Sequence, residues 1–262
     1  EGFALSPQGE RALFVARGDV FTLPIDKGPT RNLTGTSTAH ERGARWSPDG
    51  RQICFLSDAS GEDELYLVSQ DGTGKPERLT TGGKARRLAP AWSPDGTRIA
   101  YGDKDGRLYV LTLDGGQVQQ IADDRHEMIR DYVWSPDSRW LAFSINDDNE
   151  FQSIWIWGEG GLQRVTGEMY HERSPAWDPN GEYLYYLADR EYAPMLSSVE
   201  WNFATDRMTG IFALALQKDG KPPFPPESDE VKPDTSAAGA AAKDEGKKAK
   251  KDAQSKDAGK KD

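Results

Sequence analysis

The sequence predicts an all-β fold, a β-propeller of four-stranded antiparallel blades, and its internal repetition is the main reason. Five segments align without gaps, among them WSPDGRQICFLSD at 46–58 and WSPDGTRIAYGD at 92–103. Their shared prolines are spaced by 41, 46, 42 and 43 residues, at Pro7, Pro48, Pro94, Pro136 and Pro179. A repeat of about 40 to 45 residues with four short strands is typical of propeller blades. Apolar runs in the second and third strands indicate sheets packed on both faces.

The second repeat shows how each blade is predicted to run. A first strand ends at 45–47, and a turn follows at 48–50, because proline presets φ and glycine accepts a backbone conformation that a Cβ would forbid. Further strands are predicted at 52–58, at 64–68 and, as a short outer strand, at 76–80. The blade is therefore expected to be a simple antiparallel meander.

The other repeats follow the same course. In the third repeat the predicted strands lie at 89–93, 98–103, 107–113 and 117–122. A tryptophan precedes the turn in four repeats, at Trp46, Trp92, Trp134 and Trp177. We interpret these tryptophans as packing residues between blades rather than as binding residues.

The fifth repeat departs from the pattern. Its second strand, 183–189, is followed by an insert at 190–208 before a third strand at 210–216, and no fourth strand is visible. The segment from Glu227 onward has nine Lys, nine acidic residues and no aromatic residue. Such a composition cannot offset its ordering entropy, so a disordered charged tail or loop insertion is predicted. The fourth strand and further blades are expected beyond Asp262.

These observations give predicted boundaries. The propeller blades are expected to occupy residues 1–226, divided at about 1–34, 35–80, 81–122, 123–166 and 167–226. A low-complexity charged linker or loop insertion is expected at 227–262.

Composition excludes several classes of protein. The net charge of −10 resides entirely on 1–226, which argues against a nucleic-acid partner, because phosphate contacts need clustered Lys and Arg. No run of eighteen apolar residues predicts a membrane span. The single cysteine, Cys54, excludes an internal disulfide framework and a multi-cysteine zinc site. No leader peptide is visible, which constrains the location only weakly, and a leader preceding Glu1 would favour a periplasmic location over a cytoplasmic one.

Four segments carry a resemblance to a known family. They are ARGDVFTLP with KGPTRNLT, HERGARWSPDG, IRDYVWSPDSRWLAFS, and PMLSSVEWNFATDRMTGIFALALQKDGKPPFPPESDE at 194–230. Over 1–230 the chain closely resembles the second, seven-bladed propeller of bacterial tricorn-type serine peptidases. The resemblance implies a polypeptide that continues into the remaining blades, a PDZ domain and a catalytic region, in a cytosolic homo-oligomer that processes short peptides. The propellers of that family serve as access or exit routes.

The chain itself offers no catalytic constellation. Its three histidines are His40, His126 and His171, and no G-x-S-x-G, HExxH or phosphate-loop motif is present. The resemblance places the family's catalytic residues downstream of this region. We therefore assign no catalytic residue, no metal ligand and no cofactor to this chain, and we leave its status as an enzyme open.

Candidate site residues lie where each blade begins. A His-Glu-Arg triplet occurs twice, as His40, Glu41 and Arg42 and again as His171, Glu172 and Arg173. Each triplet ends four residues before the tryptophan of its blade. One hypothesis is that they line the central channel and steer peptide termini. The alternative, which we favour, is that each Glu–Arg pair braces adjacent blades. Arg86, Arg87 and Arg130 lack the acidic neighbour that precedes Arg42 and Arg173 in the motif, and they are the better channel candidates.

Two function classes follow. The first is a non-catalytic propeller module of a tricorn-like serine peptidase, which gates or guides short peptides to an active site elsewhere on the polypeptide. The second is a TolB-like scaffold that binds a protein partner and has no peptidase activity. A prolyl-oligopeptidase-type hydrolase is a third possibility, but it would need an α/β-hydrolase domain downstream and blades without the long fifth insert. Propellers host unrelated functions, so the fold does not choose among these classes.

Overall fold

The computed structural model describes residues 2–192, 194–196, 203–205, 207–225 and 229–230. The chain forms two units, residues 1–221 and residues 222–262. Every strand described below belongs to the first unit. The charged segment predicted at 227–262 lies outside the described residues, apart from 229–230.

The first three sheets each pair their strands in chain order, antiparallel throughout. Blade 1 contains β1 (Gly2–Leu5), β2 (Arg11–Ala16), β3 (Asp19–Pro24) and β4 (Arg31–Asn32). Blade 2 contains β5 (Arg42–Trp46), β6 (Gln52–Ser57), β7 (Glu64–Ser69) and β8 (Glu77–Arg78). Blade 3 contains β9 (Ala91–Trp92), β10 (Arg98–Gly102), β11 (Arg107–Thr112) and β12 (Gln117–Asp123), with a 3-10 turn at Asp114–Gly116 before β12.

The last two blades differ from each other. Blade 4 contains β13 (Val133–Trp134), β14 (Leu141–Asn146), β15 (Gln152–Gly158) and β16 (Gly161–Arg164). Blade 5 has three strands within the described residues: β17 (His171–Trp177), β18 (Tyr183–Asp189) and β21 (Thr209–Ala215). The insert between β18 and β21 includes a two-stranded hairpin of β19 (Pro194–Leu196) and β20 (Phe203–Thr205). These sheets confirm the predicted all-β propeller with four-stranded antiparallel blades.

The repeated Ser-Pro-Asp turn is held by its own side chains. The Ser47 hydroxyl donates to the Asp49 carboxylate at 2.6 Å and accepts from the backbone N–H of Gln52 at 3.0 Å. The same Asp49 oxygen accepts from the backbone N–H of Arg51 at 3.0 Å. Gly50 adopts φ of +73°, the conformation for which glycine is needed. The motif is therefore a self-contained link between the first two strands of a blade.

The core lies between the blades. Buried apolar side chains form clusters that are each shared by two consecutive blades. Ile53 and Phe55 of β6 pack toward blade 1, whereas Cys54 and Leu56 pack toward blade 3. This alternation follows from the two-residue period of a strand and explains the near-continuous apolar runs. Burial also raises the pKa of the Cys54 thiol, so Cys54 is an inert core residue.

Two of the repeated tryptophans make hydrogen bonds between blades. Trp134 Nε1 donates to the carbonyl oxygen of Ala91 at 3.1 Å, and Trp177 Nε1 donates to that of Val133 at 3.0 Å. Each acceptor lies on the first strand of the preceding blade. These two tryptophans therefore pack between adjacent sheets, and their hydrogen bonds fix how the sheets are aligned. Among the described residues, no helix is long and apolar enough to cross a membrane.

Candidate functional site

One groove brings together four of the seven predicted site residues. It has a volume of about 440 Å³ and is lined by Arg42, Gly43, Leu56, Arg86, Arg87, Leu88, Ala89, Lys104, Met128 and Arg130. We call this site the basic groove, because five of its lining residues are cationic and none is acidic. The whole chain carries a net charge of −10, so this concentration of positive charge is a local feature.

The topology explains why these residues meet. Arg42 begins β5, Arg86 and Arg87 precede β9, and Arg130 precedes β13. Lys104 follows β10, whose end lies beside the beginning of the antiparallel β9. All five cations therefore lie at the same end of blades 2, 3 and 4. In a propeller the blades surround a central channel, and the first strand of each blade is the strand nearest to it.

Gly43 shapes the wall of the basic groove. It lies in an irregularity of the β5–β6 pairing between Arg42 and Arg45, with φ of +61°. A Cβ at this position would lie 3.3 Å from Ala89 in the next blade. Glycine therefore permits both the left-handed backbone and the close approach of the two blades.

Arg42 is engaged by a carboxylate of its own blade. Its guanidinium forms an ion pair with Asp63, and it also donates to the carbonyl oxygen of Arg87 at 3.2 Å. The backbone N–H of Arg87 donates to Asp63 at 3.1 Å. Burial would raise the pKa of Asp63, but the hydrogen bonds and the charges of Arg42 and Arg86 outweigh burial and lower it. Arg42 and Asp63 together fasten blade 2 to blade 3.

Arg87 is paired with an acidic side chain from outside its own motif. The motif supplies it with no acidic neighbour, but its guanidinium lies 2.7 Å from the Glu64 carboxylate of blade 2. It also donates to Thr80 and lies 5.0 Å from the centre of the Tyr101 ring. The residue is only 7% exposed, so its charge is neutralised within the structure. Glu64 lies 23 residues before Arg87 in the chain, beyond the local motif that we used for the prediction.

Three cations of the basic groove remain exposed. Arg86, Lys104 and Arg130 face solvent, and none of them forms an ion pair within the described part of the chain. A guanidinium nitrogen of Arg130 lies 3.5 Å from the sulfur of Met128. Lys104 was not among the candidates selected from the sequence. Its position at the end of the second strand was the available signal, because that end adjoins the start of the first strand.

The other candidates lie outside the basic groove. His40 is exposed, and its backbone N–H donates to Asp58 at 2.7 Å. His171 Nδ1 accepts from the backbone N–H of Gln152 at 3.3 Å. Arg173 pairs with Asp189 of its own blade at 2.9 Å. The structure thus does not bring His40, His171 and Arg173 together with the four arginines of the groove.

The adjacent glutamates do not pair with the arginines that follow them. Glu41 accepts hydrogen bonds from the hydroxyls of Thr36 and Ser57, and its burial raises the pKa of its carboxyl group. Glu172 pairs with Arg190 at 2.7 Å. The predicted pairing of each glutamate with the arginine that follows it is therefore wrong.

The residues of the basic groove indicate what kind of ligand it can hold. Within the described residues, no three His, Cys, Asp or Glu side chains are grouped so that they could hold a metal ion. The groove presents positive charge beside apolar side chains such as Leu56 and Leu88. Such an arrangement can hold a ligand that carries both a negative charge and an apolar part.

These features define a β-propeller with a cationic groove across three blades. The sequence model of the tricorn protease second β-propeller domain matches residues 1–257. The chain belongs to this family. A tricorn protease homolog of Saccharolobus solfataricus is 26% identical over 209 residues, which cover 79% of this chain and 19% of that protein. The chain thus spans about a fifth of the length of this relative.

Solved structures show the same fold. The crystal structure of the tricorn protease superposes with a TM-score of 0.73 at 23% identity, over 82% of this chain and 21% of that chain. The crystal structure of TolB from Acinetobacter baumannii superposes with a TM-score of 0.51 at 17% identity, over 81% of this chain and 51% of that chain. At these identities the superpositions establish the propeller architecture and no activity.

Proposed function

We propose that this propeller is a non-catalytic module of a tricorn-like serine peptidase and guides short peptides toward an active site elsewhere on the same polypeptide. The observation that carries the proposal is the basic groove, where Arg86 and Lys104 of blade 3 and Arg130 of blade 4 present exposed positive charge at the same end of two consecutive blades. Positive charge beside a passage concentrates ligands of opposite charge and speeds their association.

The relatives support a module rather than a complete enzyme. The chain covers about a fifth of the homolog from Saccharolobus solfataricus, and it contains no G-x-S-x-G motif. Its partners would be peptides in passage and the rest of the same polypeptide, in a cytoplasmic homo-oligomer.

The experiment uses the full-length polypeptide that contains this chain. We would replace Arg86 and Arg130 together by Ala and measure turnover for a series of peptides of increasing length. Guidance through the groove predicts a fall in kcat/KM that depends on peptide length, because loss of the two charges removes electrostatic attraction. Equal rates for the double variant and the parent protein at every length would contradict the proposal.

Arg51→Ala is the matched control. Arg51 is an exposed arginine in the turn between β5 and β6, at the other end of the strands from the groove. Its replacement removes one positive charge without touching the groove. It should leave the turnover of every peptide unchanged.

The second candidate is a TolB-like scaffold that binds a protein partner. The TolB structure shares the propeller architecture over 81% of this chain, which is compatible with this candidate. It predicts that the Arg86→Ala, Arg130→Ala double variant loses a protein partner, and that the full-length polypeptide cleaves no peptide at all. The turnover measurement on the parent protein separates the two functions directly.

A further inference from the structure

Two cations of the basic groove face each other across paired strands. Arg87 and Asp103 form an antiparallel bridge, and the backbone N–H of Lys104 donates to the carbonyl oxygen of Arg86 at 2.8 Å. The same register places Arg86 directly opposite Lys104, so their side chains leave the sheet on the same face. Like charges directly opposite each other destabilise a sheet. No acidic side chain lines this groove to offset that repulsion.

Two ion pairs, one buried and one partly buried, hold the remainder of the site in place. Asp63 engages Arg42, and Glu64 engages Arg87, so these two arginines are neutralised and fixed. The three exposed cations are therefore the part of the groove that forms no ion pair within the described residues, although the charge of Arg86 helps to lower the pKa of Asp63. Arg130 joins Arg86 and Lys104 from the next blade, which places cationic groups on two sides of one cavity.

Apolar side chains complete the cavity. Leu56, Leu88, Ala89 and Met128 line it together with the cations. A ligand that suits this surface has an anionic group for the exposed cations and an apolar group beside it. Arginine is well matched to carboxylates, because its planar guanidinium donates two parallel hydrogen bonds to the two oxygens.

We propose that the basic groove is a carboxylate-binding site for peptides, in which Arg86, Lys104 and Arg130 hold the carboxylate and the apolar wall receives the adjacent side chain. This inference rests on the proposed function, because it assumes that peptides reach the groove. The free C-terminus of a peptide and an Asp or Glu side chain both supply this chemical group. Three peptides distinguish these sources.

The test measures peptide binding to the full-length polypeptide by fluorescence anisotropy. The peptides carry N-methylated bonds, which resist cleavage, and share one sequence that ends in an apolar residue. One has a free C-terminal acid, the second a C-terminal amide, and the third a C-terminal amide with an Asp beside the apolar residue. We expect the free acid to bind at least about tenfold more tightly than the plain amide, and added salt to reduce this difference.

The variants assign that difference to the groove. Replacing Arg86 and Arg130 together by Ala should bring the affinity for the free acid down to that for the amide, and Arg51→Ala should preserve the difference. Because Arg86 and Arg130 are exposed, the double variant should keep the thermal unfolding midpoint of the parent protein. Equal affinity for acid and amide in the parent protein would overturn the proposal, as would a difference that persists in the double variant.

The remaining outcomes separate the inference from the proposed function. If the Asp-containing amide binds as tightly as the free acid, the site accepts any peptide carboxylate and the proposal holds. If acid and amide bind equally, but the double variant still shows a length-dependent fall in turnover relative to the parent protein, the carboxylate site fails and peptide guidance stands. If the groove prefers the acid but turnover is unchanged in the double variant, the site stands and guidance fails.

Discussion

The guanidinium group of Arg87 lies 2.7 Å from the carboxylate of Glu64, so a buried ion pair joins the third blade to the second. Thr80 donates to the same carboxylate at 2.6 Å, and the backbone N–H of Gly83 donates to it at 2.8 Å. The side chains of Arg87 and Glu64 are only 8% and 3% exposed. The pair is therefore a structural link beneath the exposed cations of the basic groove.

Arg87→Met should destabilise the protein strongly. The change leaves the Glu64 carboxylate buried without its counter-charge, which typically costs about 3–5 kcal/mol. Urea unfolding followed by circular dichroism gives the free energy of unfolding. Arg86→Met is the matched control, since Arg86 is exposed and its loss should change stability by no more than about 0.5 kcal/mol. Equal effects at Arg86 and Arg87 would show that the ion pair contributes nothing.

Trp177→Phe should cost more stability than Trp46→Phe. Trp177 Nε1 donates to Val133 in the preceding blade at 3.0 Å, whereas Trp46 Nε1 is buried and has no hydrogen-bond partner among the described residues. Both changes remove part of a ring, but only Trp177→Phe breaks a hydrogen bond, which contributes about 1 kcal/mol. Chemical unfolding of both variants measures the difference. A larger loss in Trp46→Phe would contradict the assigned bond.

Gly106→Ala should be far more damaging than Gly115→Ala. The two glycines share a left-handed conformation, with φ of +82° and +79°. A Cβ at Gly106 would collide with the carbonyl oxygen of Asp124, whereas one at Gly115 would meet no atom within 4 Å. Because the strain of positive φ is common to both, the difference in unfolding free energy reports the collision, and we expect it to reach about 1–3 kcal/mol. Similar thermal midpoints for the two variants would refute the close approach.

Asp63 and Glu41 should give opposite pH dependence. The pKa of Asp63 is lowered in the folded protein, so its ionised form stabilises the fold above the unfolded value of about 3.9, and this contribution is lost as the pH falls further. The pKa of Glu41 is raised, so its ionisation opposes folding at neutral pH and the penalty disappears on acidification.

Asp63→Asn and Glu41→Gln test this assignment. Asp63→Asn should be less stable than the parent protein at pH 7, and this difference in unfolding free energy should become smaller at acidic pH. Glu41→Gln should be more stable than the parent protein at pH 7, and this difference should disappear as the pH falls toward about 4.3. Urea unfolding across this range measures both variants. If the stability difference between variant and parent changed with pH in the same direction for both variants, one of the two pKa directions would be wrong.

Much of the fold could be predicted because its determinants are local. The turn after Trp46 is held by the side chains of Ser47 and Asp49, which lie within the motif itself. The alternating apolar residues of β6 determine which face of the sheet meets each neighbour. Repetition then extends one blade to the others.

The candidate site was predictable only in part. Arg42, Arg86, Arg87 and Arg130 could be selected because the start of each blade lies beside the channel of a propeller. Their ion pairing could not be predicted, because Glu64 reaches Arg87 from the preceding blade. Lys104 was missed because it enters the groove through strand pairing rather than through the motif.

The sequence by itself therefore determined the blade, since its turns, strands and packing faces depend on residues close together in the chain. Only the tertiary structure decided which arginines are neutralised and which keep a free charge. That outcome depends on tertiary contacts: Asp63 engages Arg42 within blade 2, and Glu64 engages Arg87 across the boundary to blade 3, whereas Arg86 and Arg130 stay exposed. Electrostatic pairing acts over a few ångströms in space, and the spacing of residues along one blade does not encode it.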